Sequence, residues 1–408
     1  MNISYSSESS SVSSFLSESH PRDYRHHWLL DPEVTFLNHG SFGACPISVL
    51  ERQQILRQQL EREPVRFVER ELETLIDAAR NVLATFLGTH AANLAWVPNA
   101  THGVNTVLRS LSLQPGDEVL VTNHEYNACR NALEFVANRS GATVVVASIP
   151  FPITSSDIIM ERVLGHVSSR TKLVLLDHVT SPTAIIMPIQ QLVAELNQRG
   201  VATLIDGAHA PGMVPLMLDR LGADYYTGNC HKWLCAPKGA AFLYVRPDRQ
   251  SHIHPLAISH GANAIRGDRS RFHLEFDWVG TIDPTPYVCV PDAIQWMGSL
   301  LPGGWHALMH HNHQLVLAGR AVLAQALQNP SPIPDNLIGS MAVLSLPHGE
   351  AVALHRALFD RFKVEVPVIP WTYPSQRLIR ISAQIYNTLA DYERLAEALT
   401  ELLATEPV

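Results

Sequence analysis

The sequence predicts an α/β protein, with a large domain built on a mostly parallel sheet sandwiched by helices and a smaller α+β domain. Three observations predict this class. At 408 residues, the chain exceeds the roughly 250–300 residues at which a single hydrophobic core stops growing. Its middle alternates short apolar runs with helical segments, which is typical of a sheet covered on both faces. After Thr281 this alternation gives way to a different pattern of helices and strands.

The N-terminal part is expected to form a tail and an arm. Residues 1–30 are predicted to be a tail; its first 20 residues are Ser-rich and lack the basic start and apolar stretch of a secretory signal. Residues 31–47 are predicted to be an extended arm rich in turns. Helices are predicted over 48–61 and 65–87, and Gly88 ends the second one.

The large domain is expected to span residues 48–282. Runs rich in Val, Ile and Leu, bounded by turn residues, predict strands that are buried on both faces. These strands are predicted at residues 94–97, 118–122, 143–148, 173–177, 203–206 and 241–245. Helices are predicted between them at residues 99–111, 127–140, 156–168 and 189–199.

The small domain is expected to combine residues 283–408 with the arm at 31–47. Its helices are predicted at residues 291–300, 305–328, 350–362 and 391–404. Strands are predicted at residues 364–368 and 378–382, and the Pro-rich stretch 329–334 is predicted to be a loop.

Composition excludes several classes of protein. A net charge of -8 argues against a general nucleic-acid binder, which would present a basic face. No apolar run is as long as a membrane span. Five cysteines, an odd number without a CxxC pair, favour free thiols in a reducing compartment, so a cytoplasmic location is expected.

A group of histidines is the sequence's main candidate for a metal site. His306, His310, His311 and His313 lie close together, and the first two would share one face of a helix. No acidic or cysteine partner accompanies them, so a solvated helix end is favoured and no metal is expected.

The chemistry is expected where strands end. Asp206 follows a buried strand, and Lys232 comes about two dozen residues later, directly after His231. Taken alone, Asp206 could be a helix N-cap or part of a buried salt bridge, and Lys232 could be a solvated surface lysine. Together they suit a pyridine cofactor, because a buried carboxylate needs a cationic partner and a desolvated lysine becomes a nucleophile.

These residues carry a family resemblance. Asp206-Gly-Ala-His209 followed by His231-Lys232 resembles the fold-type I pyridoxal-phosphate enzymes of the class V aminotransferase and cysteine-desulfurase group. Two further segments are similar to the isopenicillin-N epimerase-like branch, Leu37-Asn-His-Gly-Ser-Phe-Gly43 and Asp177-His-Val-Thr-Ser181. The resemblance covers nearly everything from Val34 to the C-terminus and implies the large and small domains of the fold-type I architecture.

The resemblance implies a role for each matching position. Lys232 would hold pyridoxal 5'-phosphate as a Schiff base, Asp206 would pair with the pyridine nitrogen, Tyr126 would stack on the ring and His209 would lie near its phenolic oxygen. Ala100, Thr101, Asn229 and His231 would lie on the phosphate side. A helix start such as Thr101 suits a phosphate physically, although the same residue could be a plain N-cap.

Other matching positions concern the substrate and a second subunit. Arg380 would bind the α-carboxylate of a small amino-acid substrate, a task that suits a bidentate guanidinium; the alternative is a surface arginine at a strand end. The resemblance also implies that Asn38 and Ser181 contribute to substrate binding. Gly280 and Thr281 would reach the cofactor phosphate of a partner subunit, which implies a homodimer.

The expected reaction is a change at Cα of an amino acid, by an isopenicillin-N epimerase-like epimerase or aminotransferase. The alternative is a β-eliminating C–S lyase acting on a sulfur amino acid, and a catalytically silent binding protein of the same fold ranks last. Residues 364–380 contain no cysteine, which disfavours the persulfide route of cysteine desulfurases.

Overall fold

The protein is described here by a computed structural model, which describes residues 24–329, 333–371 and 373–405. The first 23 residues, which make up most of the predicted N-terminal tail, lie outside these ranges. The rest of that predicted tail is packed, because Trp28 is buried against Trp296 and Tyr386. No helix in the described ranges is long and apolar enough to cross a membrane.

A seven-stranded sheet forms the centre of the large domain, as the sequence predicts. Its strands are β2 (Leu94–Val97), β3 (Glu118–Thr122), β4 (Thr143–Ala147), β5 (Thr171–Asp177), β6 (Ala202–Asp206), β7 (Tyr225–Asn229) and β8 (Ala241–Val245). Their order is β2-β8-β7-β6-β5-β3-β4, and β8 runs antiparallel to both of its neighbours. The strand β7 was not predicted, because Tyr-Tyr-Thr-Gly-Asn is not an aliphatic run.

Helices cover both faces of this sheet. Those of the large domain are α2 (Ile47–Arg62), α3 (Pro64–Arg66), α4 (Leu72–Leu87), α5 (Ala100–Ser110), α6 (Asn127–Ser140), α7 (Ser156–Gly165), α8 (Ile189–Gln198), α9 (Leu218–Leu221) and α10 (Arg271–Phe276), after the short α1 (His39–Phe42) in the arm. Along β5, Leu173 and Leu175 pack into one apolar cluster while Val174 and Leu176 pack into the other. Both faces of the strand are therefore core, since successive side chains point to opposite sides.

The helix predicted over 65–87 is interrupted. A π-helical turn at Phe67–Glu71 separates α3 from α4, so the regular helix begins only at Leu72. Its predicted end is confirmed, because Gly88 adopts φ +64° and caps the helix in the left-handed conformation.

The small domain packs helices against a three-stranded antiparallel sheet of order β11-β12-β9. Its elements are α11 (Thr285–Val288), α12 (Val290–Ser299), α13 (Gly304–Ala326), β9 (Met341–Leu346), α14 (Ala351–Phe362), β10 (Val364–Glu365), β11 (Val368–Trp371), β12 (Tyr373–Ser382) and α15 (Leu389–Thr405). The arm lies with this domain, because β1 (Thr35–Phe36) pairs in parallel with β10. The histidine group lies on α13, where His306 and His310 are exposed and His313 Nδ1 lies 3.0 Å from the Gly339 carbonyl oxygen.

Candidate active site

A cavity of about 530 Å³ opens where the parallel strands β5, β6 and β7 end. Ligands bind at this edge in open α/β sheets, because loops from several strands converge there. The last residues of these strands, Asp177, Asp206 and Asn229, all lie in its wall. The remaining lining residues are Ser41, Phe42, Pro98, Asn99, Ala100, Thr101, Tyr126, Ser181, Ala208, His209, His231, Lys232, Lys238 and Gly239.

Asp206 is held rigidly at the end of β6. Its Oδ1 accepts a hydrogen bond from the Ala208 backbone N–H at 2.9 Å, and its Oδ2 accepts one from Cys129 Sγ at 3.1 Å. Burial raises the pKa of Asp206, while these two hydrogen bonds and the charge of Lys232 act in the opposite direction. A cation bound in the cavity would stabilise the ionised carboxylate further.

Lys232 and His209 meet inside the cavity. Lys232 Nζ lies 3.3 Å from His209 Nε2, although 23 residues separate the two in sequence. Burial, and then the charge of Arg380, lower the pKa of Lys232 to about 8. About a tenth of the amine is therefore neutral and nucleophilic at pH 7, far more than for an ordinary lysine. His209 is buried and its pKa is well below the usual range, so its ring is neutral. Its Nδ1 has no hydrogen-bond partner in the described structure.

The phosphate-side positions surround the start of α5. The N-cap of this helix is Asn99, whose side chain accepts a hydrogen bond from the His102 backbone N–H at 2.8 Å. Thr101 is therefore not the N-cap; it is the second residue of the helix, in its first turn, and it lies in the cavity wall. Asn229 Oδ1 accepts from the Ala100 N–H at 2.9 Å and fixes β7 to the helix start. Free N–H groups and the helix dipole make such a start a good anion site.

His231 and Tyr126 also line the cavity, although they are far apart in sequence. The His231 Nδ1 lies 2.9 Å from the Ala240 carbonyl oxygen, and burial lowers the pKa of His231 to about 4. Tyr126 directly precedes α6 and is 45% exposed, so its ring is available to a flat ligand.

Arg380 lies on β12, which brings the small domain to the cavity. Its guanidinium donates to the Ser181 carbonyl oxygen at 2.5 Å and to the hydroxyls of Ser181 and Ser41 at 3.1 Å. Both serines line the cavity, whereas Arg380 lies behind them. The side chain is buried, Nε has no hydrogen-bond partner in the described structure, and burial lowers the pKa of Arg380 to about 10. The alternative of a surface arginine is therefore wrong.

Three other predicted residues lie outside the cavity wall. Asn38 lies behind Ser41, where its Oδ1 accepts from the serine hydroxyl at 2.5 Å and its Nδ2 donates to Glu365 at 2.9 Å. Gly280 and Thr281 lie in the segment before α11, and Thr281 is exposed. Their predicted roles toward substrate and a partner subunit stay predictions.

Several lining or adjacent residues were not singled out from the sequence. Ser41, which contacts Arg380, stands inside the matching Leu37–Gly43 segment, so that segment was the available signal. Lys238 follows Lys232 by six residues and lines the same cavity. Glu125 is buried beside Asp177 and Asp206, and it directly precedes the predicted ring-stacking residue Tyr126.

The side chains present fit pyridoxal phosphate. Asp206 offers a fixed carboxylate for a protonated ring nitrogen, and Lys232 offers an amine for the aldehyde. The start of α5 suits the phosphate, and the unpartnered Nδ1 of His209 shows that this buried polar group is not saturated by the protein itself.

Comparison with known protein families supports the same assignment. The model of the family described as aminotransferase class-V matches residues 46–324. The isopenicillin N epimerase of Amycolatopsis lactamdurans is 36% identical over 390 residues, which cover 91% of this chain and 96% of that protein. A probable chloroplastic L-cysteine desulfhydrase of Arabidopsis thaliana is 30% identical, over 97% of this chain and 90% of that protein.

Solved structures share the fold at low sequence identity. A mutant of C-DES with glycine covalently linked to its PLP cofactor superposes with a TM-score of 0.81 at 21% identity, covering 92% of this chain and 99% of that one. The cysteine desulfurase CsdA from Escherichia coli gives a TM-score of 0.78 at 20% identity, covering 95% and 99%. The predicted fold class is thereby confirmed.

Proposed function

The chain belongs to the class-V aminotransferase family of pyridoxal-phosphate enzymes, and we propose that it acts at Cα of an amino acid as an isopenicillin-N epimerase-like enzyme. The observation that carries this proposal is the convergence of Lys232, Asp206 and the Arg380–Ser181–Ser41 group on one cavity. A lysine base, a carboxylate for the ring nitrogen and a carboxylate-binding arginine are the groups that such chemistry requires.

The residues divide the work between them. When bound, the cofactor supplies an electron sink that makes the Cα proton of the substrate acidic. Lys232 would anchor the cofactor and, once released, hold or move the Cα proton at its Nζ atom, for which a pKa of about 8 is suitable. Asp206 would keep the ring nitrogen protonated.

Arg380 would orient the substrate. Its two terminal nitrogens are occupied by Ser181 and Ser41, and both serines can exchange these contacts for a substrate carboxylate that enters the cavity. Orientation matters because the bond that breaks at Cα must stand perpendicular to the ring plane, and a fixed carboxylate restricts that rotation.

The first experiment identifies the cofactor anchor. Purified protein loaded with pyridoxal phosphate is reduced with borohydride, and the label is located by peptide mass spectrometry. We expect label on Lys232 in the wild type and none at all in Lys232→Ala. The matched control is Lys238→Ala, which removes the second lysine of the same cavity and should leave the label in place. Label on Lys238 in the wild type would contradict the assignment.

The second experiment defines the reaction. A panel of L-amino acids is incubated with the enzyme in deuterated buffer, and Cα exchange, configuration and keto-acid formation are followed together. Epimerisation gives deuterium in the product of inverted configuration, and transamination gives a keto acid only with an acceptor present. Absence of Cα exchange with every amino acid that perturbs the visible spectrum would reject the proposal.

A C–S lyase is the second candidate, and the L-cysteine desulfhydrases among the relatives favour it. Such an enzyme would release pyruvate, sulfide and ammonia from cysteine and water without an amino-group acceptor. The described residues 376–380 of β12 and the strand β11 contain no cysteine near Arg380, so a persulfide on the protein is not part of this candidate. Stoichiometric pyruvate release from cysteine or cystine would place the lyase first.

We propose in addition that the enzyme is a homodimer with shared active sites. The exposed position of Thr281 outside its own cavity supports this arrangement. Sedimentation should show a dimer, and Thr281→Ala should weaken retention of pyridoxal phosphate without altering the sedimentation coefficient. A monomer that retains the cofactor fully would reject the shared site.

A further inference from the structure

Three carboxyl groups lie together at one side of the cavity, where Asp177 and Asp206 form part of its wall and Glu125 lies beside them. Asp177 and Asp206 are direct partners in the register of β5 and β6, so their side chains leave the sheet edge side by side. Glu125 approaches them from the loop before α6. The exposed fractions of Glu125, Asp177 and Asp206 are 8%, 3% and 2%, so water contributes little to the solvation of any of them.

Glu125 is the least compensated of the three. Neither of its carboxyl oxygens has a geometrically sound hydrogen-bond donor in the described structure. One of these oxygens lies within 4.8 Å of both Cys129 Sγ and a carboxyl oxygen of Asp206, and the side chain also meets Asp177. An ionised carboxylate in such surroundings is very costly, because its nearest neighbours are negative or neutral.

The other two carboxylates have partners that favour the ionised form. Asp206 accepts hydrogen bonds from Ala208 and Cys129 and feels the charge of Lys232. Asp177 also feels the charge of Lys232, and its carboxyl group interacts with that of Glu125, while its Oδ2 has no hydrogen-bond partner in the described structure. Two carboxyl groups can share a hydrogen bond only if one of them is protonated.

We propose that Glu125 is a positioning residue that stays protonated and donates its hydrogen bond to Asp177, so that the negative charge facing the pyridine nitrogen remains on Asp206. This role rests on the proposed function, since the pyridine ring gives the fixed charge its use. If Glu125 were ionised, its negative charge would raise the pKa of Asp177 and Asp206 and favour their protonation. A neutral Glu125 avoids this effect.

The electrostatics of the surroundings agree with this placement. Burial, followed by the charges of Asp177 and Asp206, raises the pKa of Glu125 well above its usual range, and the Tyr126 backbone N–H opposes this only weakly. Three other titratable groups face these carboxyl groups in the described structure: Cys129 on α6 interacts with all three, Lys232 after β7 with Asp177 and Asp206, and Tyr226 on β7 with Asp206.

Infrared difference spectroscopy of the apoprotein tests the protonation state directly. The wild type at neutral pH should show the carbonyl band of a protonated carboxylic acid, and Glu125→Gln should lose it. Asp224→Asn is the matched control, because Asp224 is equally buried but lies 2.9 and 2.8 Å from Arg246 and Arg249. That variant should retain the band. If Glu125→Gln does not fold, side-chain ¹³C-labelled glutamate in the wild type should shift the same band, and a band insensitive to this label would overturn the proposal.

Titration of the visible absorbance of the holoenzyme gives the second readout. Glutamine, like a protonated glutamate, is neutral and can donate a hydrogen bond. The pH at which the cofactor absorbance is half-changed should therefore stay within about half a unit of the wild type in Glu125→Gln. Glu125→Ala removes the donor to Asp177 and should displace the midpoint by about one unit or more. Equal displacement in both variants would show that Glu125 is ionised and overturn the proposal. Failure to bind pyridoxal phosphate would reject the proposed function, whereas the infrared result would still decide the state of Glu125.

Discussion

Two groups of acidic residues in this protein, one partly exposed and one buried, are built on opposite principles. Near α4 and α10, Asp77 and Asp277 are held by Arg80 and Arg269 in a compact network. Arg80 Nη1 donates to Asp77 at 2.7 Å, and Arg269 Nη2 donates to the same carboxylate at 2.8 Å. Burial tends to raise the pKa of Asp77, but these hydrogen bonds and charges outweigh it and lower the pKa.

In the part of the chain that the structure describes, no arginine pairs with the three carboxyl groups at the cavity. The charge of Lys232 acts on Asp177 and Asp206, and the pKa of Glu125, Asp177 and Asp206 is raised, in the first place by burial. The arginine network therefore stabilises the fold, because its positive and negative charges neutralise each other. The negative charge of the carboxyl groups at the cavity has no such arginine partner. Unmatched buried charge is costly, and it is retained where a bound cation, such as a protonated pyridine ring, will complete it.

The largest effect is expected when the charge of the carboxylate group is removed. Asp206→Asn preserves shape but leaves the ring nitrogen without its anionic partner, so turnover should fall by about 10²–10³-fold. The kinetic constant kcat is measured on molecules whose cofactor content is known from absorbance. Asp224→Asn, outside the cavity, should keep most of its turnover per folded molecule; an equal loss in both variants would contradict the role of Asp206.

The opposite result is expected when the arginine network is broken. Arg80 is only 2% exposed, and Arg80→Ala leaves Asp277 and Asp77 partly uncompensated. The free energy of unfolding should fall by about 3–5 kcal/mol, as measured by chemical denaturation. Turnover per folded molecule should change little. Arg266→Ala, in an exposed ion pair of the same region, should lower stability far less, and similar losses in both variants would argue against the buried network.

A smaller effect is expected in the pH dependence of cofactor capture by Lys232. Only the neutral amine of Lys232 attacks an aldehyde, and its pKa is about 8. The rate of pyridoxal-phosphate capture by the apoprotein should therefore rise about tenfold per pH unit below that value and level off above it. Arg380→Gln removes a charge that lowers the pKa of Lys232, so the midpoint should move to higher pH. An unchanged midpoint would show that the two groups are not coupled.

The smallest effect is a difference in the pH dependence of stability. The pKa of Asp77 is lowered by folding, so its contribution is present above its unfolded pKa and is lost as the pH falls through the folded pKa. The pKa of Glu125 is raised, so its contribution is present at low pH and is lost as the pH rises from its unfolded value of about 4.3. Asp77→Asn should flatten the acid limb of the unfolding-temperature profile, and Glu125→Gln should flatten the opposite limb by about one proton. The same change of slope in both variants would remove the contrast between the two groups.

Much of this contrast could not be predicted from the sequence. The network joins Arg80 to Asp277 across 197 residues, and the cavity joins Ser41 to Arg380 across 339. Glu125 is an ordinary residue in a loop until β5 and β6 place two carboxylates beside it. Whether a glutamate keeps its proton depends on donors, charges and water around it in space, and none of these follows from its neighbours in the chain.

By itself, the sequence determined the α/β class, most of the strands and the Asp206–Lys232 pair. Alternating apolar runs and turn residues are local signals, and a residue at the end of a buried strand of a parallel sheet must lie at the ligand-binding edge. The tertiary structure alone decided the course of β7, whose Tyr-Tyr-Thr-Gly-Asn segment is a strand because its neighbours β6 and β8 pair with it. It also decided how Arg380 is buried and which carboxylates lack partners, because burial and pairing are set by elements that are far apart in the chain.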